Sequence, residues 1–131
     1  MEEKLQEFKQ DFKELLDSSF LKLEDISKLK KVSGVYFAYY GDEIIYIGST
    51  RNFSVRFSRN FKYKSNHTLH NKLLRELKEP NEVLDFLKNR CRYKIKTCED
   101  KLKAEALEHF AIWIIKPKYN KGIYNAKIRN L

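Results

Sequence analysis

From residue 5 onward the apolar positions Leu5, Phe8, Phe12, Leu15 and Leu16 recur at intervals of three and four. That period wraps one apolar stripe around a helix whose other faces are acidic and basic, and the stripe needs something to pack on. The chain's own core is the ordinary partner; a second copy or a clamped ligand is the alternative. Asp17-Ser18-Ser19 predicts a stop and restart, followed by a second apolar set at Leu21, Leu23, Ile26 and Leu29. Residues 34–40 and 43–47 are then dense in Val, Ile, Tyr and Phe on either side of Gly41-Asp42, which predicts a β-hairpin.

Phe53 and Phe57 predict a short helix over 53–60, and Leu69, Leu73, Leu74 and Leu77 a further amphipathic helix that stops near Pro80. CRYKIKT, residues 91–97, alternates: Cys91, Tyr93, Ile95 and Thr97 point one way, Arg92, Lys94 and Lys96 the other. The expectation is a half-buried strand with a basic outer face. Glu99 and Asp100 open a last helix, acidic at its start as the macrodipole prefers, and Pro117 ends it just after Ile115. These elements define an α+β class: a small three-stranded antiparallel sheet flanked by helices, over residues 32–131, with an N-terminal helical extension over 1–31.

At 131 residues the chain suits one core rather than two. A hydrophobic fraction of 42%, with 14% aromatic, is enough to fill it, which excludes disorder throughout. The net charge of +9 is uneven: residues 1–31 carry 7 Lys/Arg against 8 Asp/Glu, and the rest 20 against 10. Residues 51–64 hold five Lys/Arg and no acid. Such a field favours polyanions, nucleic acid ahead of an anionic membrane. No run approaches the roughly 18 apolar residues of a membrane span, and MEEKLQEFKQ lacks the apolar core of a secretion signal. An intracellular protein with no membrane partner is expected. Cys91 and Cys98 lack the CxxC or paired-histidine context of a zinc site, and a disulfide would conflict with that compartment.

Candidate chemistry sits on two elements. The last helix contains AEALEHFAIWII, residues 104–115, where Glu105, Glu108 and His109 share one side with Lys101. Such a stripe is ordinarily a solvated face, but a carboxylate among so much apolar surface is costly unless it meets water, a cation or a metal. On the hairpin, Tyr36 and Tyr46 lie on paired strands, where their rings can approach. A phenol ionises near pH ~10 on its own and becomes a usable base only beside cations, so two phenols make chemical sense in a basic, metal-containing pocket.

GVY at 34–36, YIG at 46–48, Arg56 eight residues beyond Gly48, and the LE of 107–108 followed by IWIIKPKYN together resemble the GIY-YIG nuclease superfamily. The order of all these parts matches, over roughly residues 32–121, with Val35 where the family name has isoleucine. The resemblance implies a stand-alone small nuclease that hydrolyses phosphodiesters with one divalent cation, Mg²⁺ or Mn²⁺, in restriction or repair of DNA. By position Glu108, nine residues before Pro117, would be the metal ligand. Arg56 would hold the scissile phosphate, and Tyr46 or Tyr36 would activate the attacking water. A histidine beyond the arginine, His67 or His70, would complete the catalytic set, with His67 preferred. Asn120, grouped with the substrate-binding positions, would brace the site. Gly34 and Gly48 would be structural, Gly48 by opening the turn out of the strand.

The surfaces left to bind substrate are the basic ones: Arg51, Arg59, Lys62 and Lys64 after the hairpin, and Lys94 on the third strand. Cutting both strands with one active site per chain takes two chains or two visits; a homodimer formed through the N-terminal helices, residues 5–29, is the expectation for the first. The rival from another class is a nucleic-acid-binding domain that kept the fold without the catalysis. Glu108 separates the two, because a binder gains nothing from a carboxylate facing DNA.

Overall fold

The computed structural model describes residues 2–60 and 68–120. Its centre is an antiparallel sheet in the order β2-β1-β3, made by β1 (Ser33–Tyr40), β2 (Glu43–Thr50) and β3 (Cys91–Cys98). Gly41 turns the hairpin at a φ of +62°, a backbone state that suits glycine. Tyr36 faces Gly48 and Ala38 faces Tyr46 across β1 and β2, with an irregularity between Ala38 and Tyr39. On the other side of β1, Val35 faces Lys96 and Phe37 faces Lys94.

Strand alternation sends Val35, Phe37 and Tyr39 to one face and Tyr36 and Ala38 to the other. The first face is covered by α1 (Glu2–Asp17) and α6 (Lys101–Ile115), with Leu15, Leu107 and Ala111 packed on Val35, Phe37 and Ile47. The second face carries α2 (Leu23–Ser27), α3 (Phe53–Val55), α4 (Thr68–Leu77) and α5 (Pro80–Asp85), which pack Leu23, Phe53, Phe57, Leu73 and Val83 around Tyr36 and Tyr93. With apolar helix stripes on both sides, the central strand β1 is buried almost end to end.

The N-terminal stripe is thus engaged within its own chain. Phe12 meets Phe37 and Phe110 edge-on, Phe8 stacks on Phe110, and Leu15 is fully buried. The stripe offered as a dimer contact is thus largely packed on the chain's own core, with Leu5 left exposed. Charge reinforces the docking: Lys96 pairs with Glu14 and Asp11, and Lys103 with Glu7 and Asp11.

The same docking corrects the reading of β3. Arg92, Lys94 and Lys96 share the face on which α1 packs; Lys94 and Lys96 are half-buried there, so of this row only Arg92 stays exposed. Lys94 donates from Nζ to the Leu16 carbonyl, and both Lys94 and Arg92 lie over the Phe20 ring. The strand's alternation was legible; that both of its faces would be covered was not.

Three boundaries also differ from expectation. β2 continues through Gly48 to Thr50 because these residues stay in register with β1. Pro80 starts a helix rather than only ending one: α4 stops at Leu77, Lys78 takes a φ of +68°, and Pro80 fills the first turn of α5, where a missing N–H is no loss. Downstream of α3, the chain widens into a π-helical turn over Arg56–Asn60. The last helix ends as expected, with Lys116 left-handed and its N–H returning to the Ile112 carbonyl just before Pro117. Among the described residues no helix is long and apolar enough to cross a membrane.

Candidate active site

β2 is an edge strand, with β1 on one side only. After α6, Pro117 directs the chain into a 3₁₀ turn, Lys118–Asn120, that closes part of the open side. Ile47 donates its N–H to Asn120 Oδ1 (2.9 Å), and Asn120 Nδ2 donates to the Ile47 carbonyl (3.0 Å). One amide side chain thereby does what a neighbouring strand would do for that residue. Tyr119 Oη donates to Glu76 (2.6 Å) and Lys72 Nζ donates to the Tyr119 carbonyl (2.7 Å), which ties the turn to α4. Asn120 is fully buried and both ends of its amide are engaged with Ile47.

Further along β2, where Gly48 carries no side chain, a cleft of about 470 Å³ opens. Tyr36, Tyr46, Gly48, Ser49, Arg56 and Glu108 line it, with Thr68, Lys101, Glu105 and His109 around them. The two phenols come from adjacent strands and their ring centroids lie 6.2 Å apart. Gly48 is needed here for close packing: a Cβ at that position would overlap the hydroxyl end of Tyr36. This replaces the expectation that it opens a turn, since it sits within the strand. At Gly34 a Cβ would overlap the Lys96 carbonyl, so that glycine permits β1 and β3 to approach.

Burial raises both phenols. It pushes Tyr36 well above its ordinary value, with the neighbouring Tyr46 and Glu108 adding to the rise and Arg56 opposing it. Tyr46 is pushed up to about 12, by burial first and then by the negative charge of Glu108, against the pull of Arg56 and a hydrogen bond with Thr68. Glu108 and Arg56 thus act on the same pair of hydroxyls with opposite sign.

Arg56 enters from the first residue of the π-helical turn, and its Nε is buried with no hydrogen-bond partner among the described residues. A buried guanidinium donor without an acceptor is rare and suits an anion arriving from outside. Glu108 enters from the side of α6 that faces β2: Ser49 Oγ donates to its Oε1 (2.8 Å). Lys101 Nζ donates to the same Ser49 Oγ (3.0 Å) and stands 3.6 Å from Glu105.

Tyr36, Tyr46, Arg56 and Glu108 therefore meet in one cleft. Among the described residues, the candidates Arg51 and His70 do not join them. Arg51 is exposed and borders a separate cleft with Lys31 and Thr97. His70 is buried in α4 and does not line the site, and burial lowers its pKa. His67, Lys62, Lys64 and the side chain of Arg59 lie outside the described residues. Ser49 and Thr68 were missed in the sequence, where a lone small hydroxyl residue carries no signal of its own.

This arrangement is the GIY-YIG endonuclease fold. No family model and no curated protein matches the sequence. Among solved structures, the chain is similar to the GIY-YIG N-terminal endonuclease domain of UvrC from Thermotoga maritima bound to its catalytic divalent cation, magnesium. The identity is 22%, the TM-score 0.52, and the match covers 74% of this chain and 92% of that one. A point mutant of the same domain, also bound to its catalytic divalent cation, matches at 21% identity and a TM-score of 0.53, over 74% of this chain and 91% of that one.

Proposed function

We propose that this chain is an endonuclease that hydrolyses phosphodiester bonds in DNA with one divalent cation, Mg²⁺ or Mn²⁺. The observation that supports this reading is the convergence of Glu108, Arg56 and two phenols, from four separate elements, on one cleft. The donor set suits a hard cation. Glu108 Oε1 is held by Ser49 while Oε2 has no hydrogen-bond partner among the described residues, where no group of three or more His, Cys, Asp or Glu occurs either. A single carboxylate matches Mg²⁺, which keeps most of its waters and takes further oxygens from a phosphate.

Glu108 would hold the cation, which when bound polarises the phosphoryl group and offsets the charge that gathers on it. Arg56 offers its unpartnered Nε–H and its fork of donors to the non-bridging phosphate oxygens, and holds them through the transition state. Tyr46 is the phenol that orients the attacking water and, once its own proton has left to solvent, takes a proton from it. Its hydroxyl is protonated in the free protein, where burial and Glu108 raise its pKa to about 12, and positive charge delivered to the cleft acts in the opposite direction, as Arg56 does. Tyr36 is 1% exposed and packs edge-on to Phe57, which fits it to fix the position of Tyr46. The excess of Lys/Arg beyond residue 31, 20 against 10 acids, draws the DNA backbone in.

The test is incubation of the protein with supercoiled plasmid and with branched DNA in Mg²⁺, Mn²⁺ or EDTA. Cleavage is expected with either metal and not with EDTA. Glu108→Ala and Arg56→Ala should abolish it, while DNA binding persists in Glu108→Ala. Binding with no cleavage under any metal would replace this proposal with that of a DNA-binding domain.

A further inference from the structure

The cleft contains a partly buried polar chain, Lys101, Ser49 and Glu108, of which the hydrolytic roles above use only Glu108. We propose that Lys101 and Ser49 are positioning residues, which lock the orientation of the Glu108 carboxylate and so set the affinity of the site for its divalent cation. This rests on the reading of Glu108 as the cation's ligand.

The direction of each hydrogen bond follows from chemistry. An ammonium can only donate and a carboxylate can only accept, whereas a hydroxyl has one hydrogen and two lone pairs. With Lys101 Nζ at 3.0 Å and Glu108 Oε1 at 2.8 Å from Ser49 Oγ, the hydroxyl must accept from Lys101 and give its hydrogen to Glu108. No other assignment satisfies both contacts. The lysine thus removes the rotational choice of the serine hydroxyl, and the serine fixes one carboxylate oxygen, leaving Oε2 for a ligand.

Two features of the sequence have no better explanation. Ser49 is 7% exposed on the face of β2 that also carries Ile47, directly opposite Val35, in an otherwise apolar layer under α6. An aliphatic residue would pack there without a polar group to satisfy. Lys101 opens α6 immediately after the Asp100 N-cap, where the helix dipole disfavours a cation, and it precedes Glu105 in the weaker order for an i,i+4 pair. Lys103, in the same turn, is compensated by Glu7 and Asp11 of α1. Lys101 has the Ser49 hydroxyl and Glu105, both in the cleft. Local preferences broken at a cleft, and compensated only by groups of that cleft, point to a role in it.

The experiment measures Mn²⁺ binding by calorimetry or electron paramagnetic resonance on the full chain, alongside cleavage as a function of metal concentration. The variants are Glu108→Ala, Ser49→Ala, Ser49→Thr and Lys101→Met, the last in wild-type and Ser49→Ala backgrounds. Ser49→Ala should weaken Mn²⁺ binding about 10- to 100-fold, with cleavage recovering as metal is raised, and Ser49→Thr should stay within about threefold of wild type. Removing Lys101 also removes a nearby positive charge, which by itself favours cation binding. The relay therefore predicts that the effect of Lys101→Met on affinity differs between the two backgrounds, by about threefold or more, because only one retains a hydroxyl to orient. Unchanged Mn²⁺ affinity in Ser49→Ala, or identical effects of Lys101→Met in both backgrounds, overturns the relay if Glu108→Ala still loses the metal. Equal binding by wild type and Glu108→Ala instead removes the assignment of Glu108 itself.

Discussion

The hydroxyl end of Tyr36 occupies the space where any residue other than glycine at position 48 would place its Cβ. The two residues face each other across β1 and β2, so one phenol of the site is seated on the backbone of the strand that carries the other. Gly48→Ala forces Tyr36 to move within a packed cluster that includes Phe53 and Phe57, and overpacking of this kind costs about 1–3 kcal/mol. The ring carbon bearing the hydroxyl overlaps the same position, so deleting the oxygen with Tyr36→Phe does not restore the fit. Thermal unfolding should therefore show Gly48→Ala and Gly48→Ala/Tyr36→Phe both well below Tyr36→Phe alone. A double variant as stable as the single phenylalanine variant would contradict this packing.

Asn120 presents a different dependence, on hydrogen bonds at a strand edge. Replacing it with alanine leaves the Ile47 N–H and carbonyl without their partner in a fully buried place, at a cost of about 1–3 kcal/mol for the unsatisfied groups. Aspartate should be worse than alanine: it keeps an acceptor for the N–H, but it sets a charged oxygen against the Ile47 carbonyl and buries it. Urea denaturation of wild type, Asn120→Ala and Asn120→Asp should rank them in that order. Equal stability of the alanine and wild-type proteins would show that the amide is not closing the edge.

The docking of α1 can be tested through its one fully buried residue. Leu15 packs in the cluster with Val35, Phe37 and Leu107, and truncation to alanine should cost about 2–5 kcal/mol. The ion pairs of Glu7 and Glu14 lie at the solvent, where water and salt screen them, and their removal should cost far less than that. Denaturation curves separating the two classes of variant would confirm that packing holds α1, with charge aligning it. A larger loss in Glu14→Ala than in Leu15→Ala would reverse that order.

Much of this was legible in the sequence, and the residues show why. The hairpin announces itself by its β-branched and aromatic residues around Gly41-Asp42, and α6 by its acidic start and Pro117. The family resemblance carried by GVY, YIG, Arg56 and Glu108 implied that Tyr36, Tyr46, Arg56 and Glu108 meet in one cleft. What failed was anything decided by a partner distant in sequence. Lys94 and Lys96 alternate with apolar residues as on a wet strand face, yet Leu16 and Glu14 of α1 cover them. Pro80 reads equally as a stop and a start until the left-handed Lys78 separates the two helices. Ser49 acquires a role only when α6 brings Glu108 to it.

Tyr46 links the electrostatics of the cleft to a measurable pH dependence. Its pKa rises from an ordinary 10.0 to about 12 in the folded protein. Below pH 10 the phenol is protonated in both folded and unfolded chains and its contribution is fully present. Between 10 and about 12 the unfolded chain releases the proton while the folded protein keeps it, so stability falls as pH rises, by about 2–3 kcal/mol for a two-unit shift. Tyr36 and Tyr93 shift in the same direction, so the decline in the wild type is steeper than Tyr46 alone produces. Denaturation at pH values below 10 and approaching 12 should show a shallower decline in Tyr46→Phe. The neighbours should tune it with opposite sign: Arg56→Ala removes a charge that lowers the pKa and extends the window upward, whereas Glu108→Gln removes one that raises it and shortens the window. Ultraviolet titration of the tyrosinates gives the same pKa values independently. A Tyr46→Phe profile parallel to wild type, or shifts of the same sign in both neighbour variants, would separate Tyr46 from the cleft's two charged residues.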